Sequence, residues 1–290
     1  MKKLFPFIFV LTFSVSVLSG QEQEPWSLQQ CIDQGIQYNL QVKRQELVLS
    51  NARQDHRQSK LDVLPNLNGM IEHQLGAGRV LDRGTYEWKN ANVSQGDLGM
   101  QTELILFNGL QGLNSMKMNK ANYQMSMEDL EAMEDNITIQ VMTGYLDLLR
   151  NQELVEVARL KVEVTQQQVE RMERLVEVGN EAPGRLLEVR AQLSDARLNF
   201  TQAINARDIA KLNLMHVMNI TETEGFEIET PLLPDPSTVV IPELDSVFQY
   251  ALAHMPQIKS KEYGVEASER NLAISRGVRS PRLYTRGLIY

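Results

Sequence analysis

The sequence repeats its own opening. Written over itself with a fixed offset of 216 residues, Leu28, Ile32, Gln41, Val42, Lys43, Glu46 and Leu47 fall on Leu244, Phe248, Gln257, Ile258, Lys259, Glu262 and Tyr263. The register runs without a gap to Pro65-Asn66-Leu67, which falls on Pro281-Arg282-Leu283. A duplication of this length limits the fold to two copies of one arrangement joined by a connector. Residues 225–242 hold Pro231, Pro234, Pro236 and Pro242 and read as that connector. The expected organisation is a first unit over 21–224, the connector over 225–242 and the start of a second unit over 243–290. That second unit stops at Tyr290, opposite Gln74. The expectation is therefore one complete unit plus an incomplete second, as in a fragment or a truncated product.

The N-terminus carries its own signal. Met1-Lys2-Lys3 is positive, Leu4 to Leu18 is apolar, and Ser19-Gly20 supplies small residues before polar Gln21-Glu22. This is the pattern of a secretory signal peptide over 1–20, too short and wrongly flanked for a spanning helix. An uncleaved anchor is the alternative reading. Gln21 stands where a lipoprotein would carry its lipidated Cys, so no lipid anchor is expected. No other stretch reaches 18 apolar residues. A membrane-inserted form must then be a closed β-barrel, which satisfies every backbone group.

Composition removes several function classes. Lys plus Arg is 29 and Asp plus Glu is 37, a net charge of −8, with no basic run beyond Lys2-Lys3. Phosphate neutralisation on nucleic acid needs the opposite balance. A single cysteine, Cys31, excludes an internal disulfide and a Cys-rich metal site. His56, His73, His216 and His254 are scattered, with no triad or metal spacing. No phosphate loop is present, so the expectation is no enzyme, no cofactor and no metal.

Periodicity supplies the elements. Ser27 to Asp62 reads as helix, with Ser27 as N-cap and Gln30 completing a capping box, and Pro65 ends the run. Asn66 to Gly78 then alternates: Leu67, Ile71 and Leu75 share one face with Gly69 and His73, and Asn66, Asn68, Glu72 and Gln74 share the other with Met70. A second alternating run covers Ser94 to Phe107, with Leu98, Met100, Leu104 and Leu106 opposite Asp97, Gln101 and Glu103. Both runs are at least as long as the 9–11 residues of a tilted transmembrane strand. Arg79 to Val93 reads as a polar loop. From Gln111 to Val178 no proline interrupts 68 residues, about 100 Å of helix. The breaker Gly179-Asn180-Glu181-Ala182-Pro183-Gly184 follows, and helix resumes from Arg185 to about Asn219. There Leu186, Val189, Leu193, Ala196, Phe200, Ala203, Arg207, Ala210, Leu214 and Val217 keep coiled-coil a and d spacing. The 36 residues of 27–62 and the 35 of 185–219 together match the long helix, as two half-length helices stacked along it would. The fold class expected is mainly α with a small β part: long antiparallel coiled-coil hairpins plus amphipathic strands.

These pieces, in this order, resemble the TolC family of outer-membrane efflux proteins over essentially the whole mature chain. Met255-Pro256-Gln257-Ile258 is similar to the family's Asn-Pro-x-apolar helix start, and Asn39-Leu40-Gln41-Val42 matches it less well. Leu64-Pro65-Asn66-Leu67 opens the first strand, Leu106-Phe107-Asn108-Gly109 closes the second, and Val141, Tyr145, Leu148 and Leu149 look like the helix signature. The resemblance implies strands lent by three protomers to one shared transmembrane barrel, with helices forming a periplasmic tunnel. It implies a homotrimer in the outer membrane of a Gram-negative bacterium, in contact with outer-membrane lipid. It also implies a periplasmic adaptor and, through it, an inner-membrane pump. The function implied is the channel component of a tripartite efflux or type I secretion system, a passive conduit. This sequence lacks the second helical hairpin, so no gate residues carry over.

Each candidate surface has a plainer reading beside it. Asn68, Glu72, Gln74, Asp97, Gln101 and Glu103 line a lumen, or form the solvent face of a soluble sheet. Tyr86 and Trp88 mark a membrane interface, or pack locally in a loop. His73 is a tolerated surface residue, Cys31 a half-buried helix residue. The acidic run Glu128, Asp129, Glu131, Glu134, Asp135 is a solvated helix face, or a tunnel wall. The tip Val178, Gly179, Asn180, Glu181, Ala182, Pro183, Gly184 and Arg185 docks an adaptor, or is a hairpin turn. The competing function is a periplasmic adaptor (membrane fusion) protein, which also carries a coiled-coil hairpin. Its hairpin, however, is flanked by Gly-rich lipoyl-like half-motifs, not by amphipathic strands.

Overall fold

A computed structural model describes residues 25–82, 84–222, 225–231 and 242–289. The leader expected over 1–20, and most of the expected connector, lie outside the described residues. Helix α1 (Leu28–Tyr38) begins with the expected capping box: Gln30 N donates to Ser27 Oγ at 3.3 Å and Ser27 N to Gln30 Oε1 at 2.8 Å. The single helix expected over 27–62 is in fact two. Asn39 takes an extended conformation, caps the end of α1 through its N–H to Gly35 O, and starts α2 (Leu40–Leu61) by accepting from Gln41 N at 2.8 Å. An asparagine serves both roles because its short side chain replaces a missing helical partner.

Strand β1 (Asn66–Leu81) pairs antiparallel with β2 (Trp88–Phe107). The polar loop expected over 79–93 is mostly strand, since β1 runs to Leu81 and β2 starts at Trp88. Gly76, Gly78, Asn90 and Asn92 have low strand propensity, but the pairing continues through them, Gly78 opposite Ala91 and Arg79 opposite Asn90. Ladder bonding there overrides local preference. At the turn, Asp82 accepts from Gly84 N at 2.9 Å and from Lys89 Nζ at 3.1 Å, which holds its carboxyl below the usual carboxylate range.

Helix α3 (Gln111–Glu177) is 67 residues long, about 100 Å. It returns as α4 (Pro183–Val217). All ten of the expected a and d residues of α4 are buried or half-buried. Their partner seam on α3 is equally regular: Leu148, Asn151, Val155, Ala158, Val162, Thr165, Val169, Met172 and Val176, also buried or half-buried, alternate by three and four. Asn151 and Thr165 interrupt it with polar groups satisfied on their own helix, at Asp147 O and Lys161 O.

The remaining elements repeat the opening. α5 (Leu244–His254), α6 (Pro256–Gly277) and β3 (Leu283–Ile289) follow in the order of α1, α2 and β1. The helices have the same lengths, 11 and 22 residues, and the offset of 216 carries both ends of α1 and α2 onto those of α5 and α6. β3 adds to the free edge of β2, giving the sheet order β1-β2-β3. α6 packs along the first half of α3, where Ser260 Oγ donates to Asp129 Oδ1 at 2.6 Å. The acidic run on α3 is therefore not wholly a solvated face. Asp129 meets α6, and Glu134, half-buried, has its carboxyl pushed up by burial and then by Glu46 of α2.

The apolar core sits midway along α3, where α1, the end of α4 and residues 226–228 converge. Gly35 lets α1 approach, since a Cβ there would lie 2.9 Å from Val141 Cγ2. Cys31 is fully buried in this core, not half-buried as expected, and burial pushes its thiol up to about 11, so it stays neutral. End-on stacking of α2 and α4 is fastened here: Asn39 Nδ2 donates to Val217 O at 2.8 Å. Tyr145, 1% exposed, donates its hydroxyl to Glu229 O at 2.5 Å and lies 3.3 Å from Trp26 O, pinning two chain segments that pair at Trp26 and Ile228. Tyr145→Phe is expected to lose about 1 kcal/mol, read as a lowered urea midpoint with an unchanged slope.

Candidate functional site

Three surfaces bear on function, and all follow from the pleat and the hairpin. Side chains alternate across a strand, so the register assigns each residue to a face. Glu72 lies opposite Asp97, Asn68 opposite Gln101, and Gln74 opposite Gln95. Glu103 lies between Asn66 on β1 and Arg286 on β3. Asn68, Glu72, Gln74, Asp97, Gln101 and Glu103 are thereby brought together on one face. The neighbouring face carries Leu67, Ile71, Leu75, Leu98 and Leu104, with Leu106 continuing the alternation at a bulge between Ile105 and Phe107. Among the described residues nothing covers that apolar face, and Ile71 is 84% exposed. His73 Nε2 is satisfied within it by Ser94 Oγ at 2.9 Å.

Charge on the polar face is uneven. Arg286 Nη2 pairs with Glu103 Oε2 at 2.9 Å and stacks over Tyr284. Nothing local in the sequence marks Arg286, and only the strand register shows its partner. Glu72 and Asp97 are like charges directly opposite each other, an arrangement that costs stability in an ordinary sheet. Among the described residues neither has an ion-pair partner, and Asp97 accepts one long bond, 3.4 Å, from Gln95. Tyr86 sits in the turn with φ +57 and Trp88 opens β2, both well exposed and not packed locally.

The third surface is the far end of the hairpin. Val178, Gly179, Asn180, Glu181, Ala182, Pro183, Gly184 and Arg185 are all exposed. Gly179, φ +78, closes α3 in a Schellman motif: Gly179 N donates to Val176 O and Asn180 N to Leu175 O. Pro183 then occupies the first turn of α4, where its missing N–H costs nothing. A Cβ on Gly179 or Gly184 would meet nothing within 4 Å. The tip thus presents backbone and small side chains to solvent.

A helical rod about 100 Å long, built on α3 with α4 along one half and α2 and α6 along the other, carries an amphipathic antiparallel sheet at one end. The outer membrane efflux protein family matches residues 31–219, and the chain belongs to that family. Among solved structures it resembles CusC, described in terms of transmembrane channel formation, at 17% identity with a TM-score of 0.74. The match covers 89% of this chain and 58% of CusC. It also resembles the CmeC outer membrane channel of Campylobacter jejuni, at 15% identity and a TM-score of 0.74, over 90% of this chain and 55% of CmeC. The outer membrane protein VceC of Vibrio cholerae matches at 14% identity and 0.71, over 90% and 61%. The chain therefore spans less than two-thirds of each of these channels. No curated protein matches it in sequence. No helix among the described residues is long and apolar enough to cross a membrane.

Proposed function

We propose that this chain forms part of the outer-membrane channel of a tripartite efflux or type I secretion system. The carrying observation is one sheet with an apolar face uncovered among the described residues and a polar face, continuous with a helical rod whose long helix α3 spans about 100 Å. A barrel closed from such sheets puts Leu67, Ile71 and Leu98 against lipid and the Glu72 face against water. The reading places the sheet in the outer membrane of a Gram-negative bacterium and the helices in the periplasm, in a homotrimer. Its expected organisation keeps a first unit over 21–224 and a second from 243. Its role is that of a passive conduit: it bounds a path, and a periplasmic adaptor couples it to an inner-membrane pump. The alternative, an adaptor protein, is disfavoured because the hairpin runs directly into amphipathic strands.

The tip tests this reading. A rod that reaches inward about 100 Å meets its partner at its end, and the small residues at 179, 182 and 184 let another hairpin approach closely. Tryptophan at Gly179, Ala182 or Gly184 is expected to abolish export, and at Ala182 and Gly184, which carry no left-handed backbone, to leave the yield of assembled channel unchanged. Cysteines at Asn180 or Glu181 are expected to cross-link to the adaptor in cells. Normal export with all three positions bulky, together with no cross-link, would leave the segment a plain turn and remove the docking role.

A further inference from the structure

The junction midway along α3 carries a feature that the channel reading does not use. Two adjoining clefts, of about 280 and about 300 Å³, open on either side of Trp26 and share Gln34. One wall is the solvent side of α1, where Gln30, Gln34 and Gln37 stand at the i, i+4 and i+7 positions of one helix stripe. The opposite wall is Asn219 to Glu222, just beyond α4.

Trp26 is held as a rigid platform. Its N–H donates to Glu227 O at 2.7 Å, and its carbonyl accepts from Glu229 N at 3.0 Å. Its ring packs on buried Phe226 with centroids 5.9 Å apart, and the residue is partly exposed. The amides of Gln34 and Gln37 have no side-chain or backbone partner among the described residues, so each offers two donors and one acceptor. Among the described residues no lysine or arginine lines either cleft, and Lys211, 5.8 Å from the Phe226 ring centroid, caps that ring from a different cleft.

We propose that this cleft binds an uncharged glycan strand laid along α1 across Trp26. A sugar ring presents an apolar C–H face and a rim of hydroxyls. The indole supplies a flat apolar surface with little entropy to lose, since its backbone is already fixed. The unpartnered amides supply neutral donors and acceptors at one-turn intervals, which a repeating ligand satisfies in succession. The acidic rim, Asp33 and Glu222, and the lack of a cation select against phosphorylated or carboxylated ligands. Two clefts on either side of one aromatic fit a chain, not a single ring. This inference does not rest on the channel reading: a failed glycan titration leaves the tip cross-links as they are.

The test uses the full chain in detergent with Trp88→Phe, so that Trp26 alone reports by its fluorescence. Titration with chitohexaose or cellohexaose is expected to give a saturable change with a Kd of roughly 1 mM or tighter. The glucose monomer is expected to bind at least tenfold more weakly. Gln34→Ala with Gln37→Ala, which leaves the apolar core untouched, is expected to weaken hexasaccharide binding about tenfold at an unchanged thermal midpoint. No saturable response to either hexasaccharide would overturn the proposal. So would a response to tetraphenylphosphonium alone, which would make the cleft a cation–π site for organic cations, or an undiminished response in the double variant.

Discussion

Gly109→Ala is expected to destabilise the chain by roughly 3 kcal/mol or more, whereas Gly179→Ala costs only about 1–2 kcal/mol. Both glycines have positive φ, +66 and +78. At Gly179 the penalty is backbone strain alone, because an added Cβ meets open space. At Gly109 it would run into the carbonyl of Gly277 and the side chain of Ser280. The crowding is mutual: a Cβ on Gly277 would lie 2.5 Å from Gly109 O and 2.9 Å from Gln111 Cγ. Neither backbone can step aside without moving the start of α3 or the end of α6. These two glycines are the elbow at which β2 turns into α3 and α6 turns toward β3. Urea unfolding of the purified chain measures both variants. Equal midpoints for the two substitutions would show that the elbow yields and that the crowding carries no energy.

The same pair shows what a sequence can and cannot disclose. Leu106-Phe107-Asn108-Gly109 reads as a strand end because a turn residue follows an apolar alternation. The reason that glycine is needed lies on Gly277, far along the chain, where nothing local marks it. Periods behave differently. The a and d residues of α4 are legible because their spacing is a local property, and every one of them is buried or half-buried. The matching seam on α3 has the same period but was hidden in a helix where apolar residues lie on several faces, Leu154, Val157 and Leu160 among them. Only the packing of α4 shows which stripe is inner.

Pairing and caps override local propensity at two places. The break at Asn39 carries no Pro or Gly, and the helical period runs through it. Its duplicate position, Met255 before Pro256, announces the same break openly, so the offset of 216 held the missing signal. Asn90 and Asn92 make 79–93 read as loop, yet a two-stranded ladder already in register extends through them, Arg79 opposite Asn90 and Ala77 opposite Asn92. Which faces the strands present was readable from alternation, since a slip of one residue would exchange the two faces entirely. Where charge is compensated was not: the Arg286–Glu103 pair joins strands from opposite ends of the sequence.

Arginine on the apolar strand face should cost far more than arginine one residue away. Ile71 lies directly opposite Leu98, and Glu72 directly opposite Asp97, so successive pairs of the same ladder point to different faces. In a barrel, Ile71→Arg or Leu98→Arg near the bilayer midplane is expected to cost roughly 2–4 kcal/mol. Outer-membrane yield of the assembled channel falls accordingly. Glu72→Arg meets water instead of lipid and places a cation beside Asp97, turning a like-charge pair into an opposite one. Its yield is expected to match the wild type, and the change appears in conduction. Among the described residues of the wild-type polar face Glu72 and Asp97 are uncompensated while Glu103 is paired with Arg286, so in the proposed channel a cation preference is expected to concentrate at the Glu72 level. Reversal potentials under a salt gradient are expected to move toward anions in Glu72→Arg and to move less in Glu103→Gln, which removes a charge already paired. Equal yields for arginine at 71 and 72 would place both residues in the same medium. A barrel wall, with lipid on one side and water on the other, does not permit that.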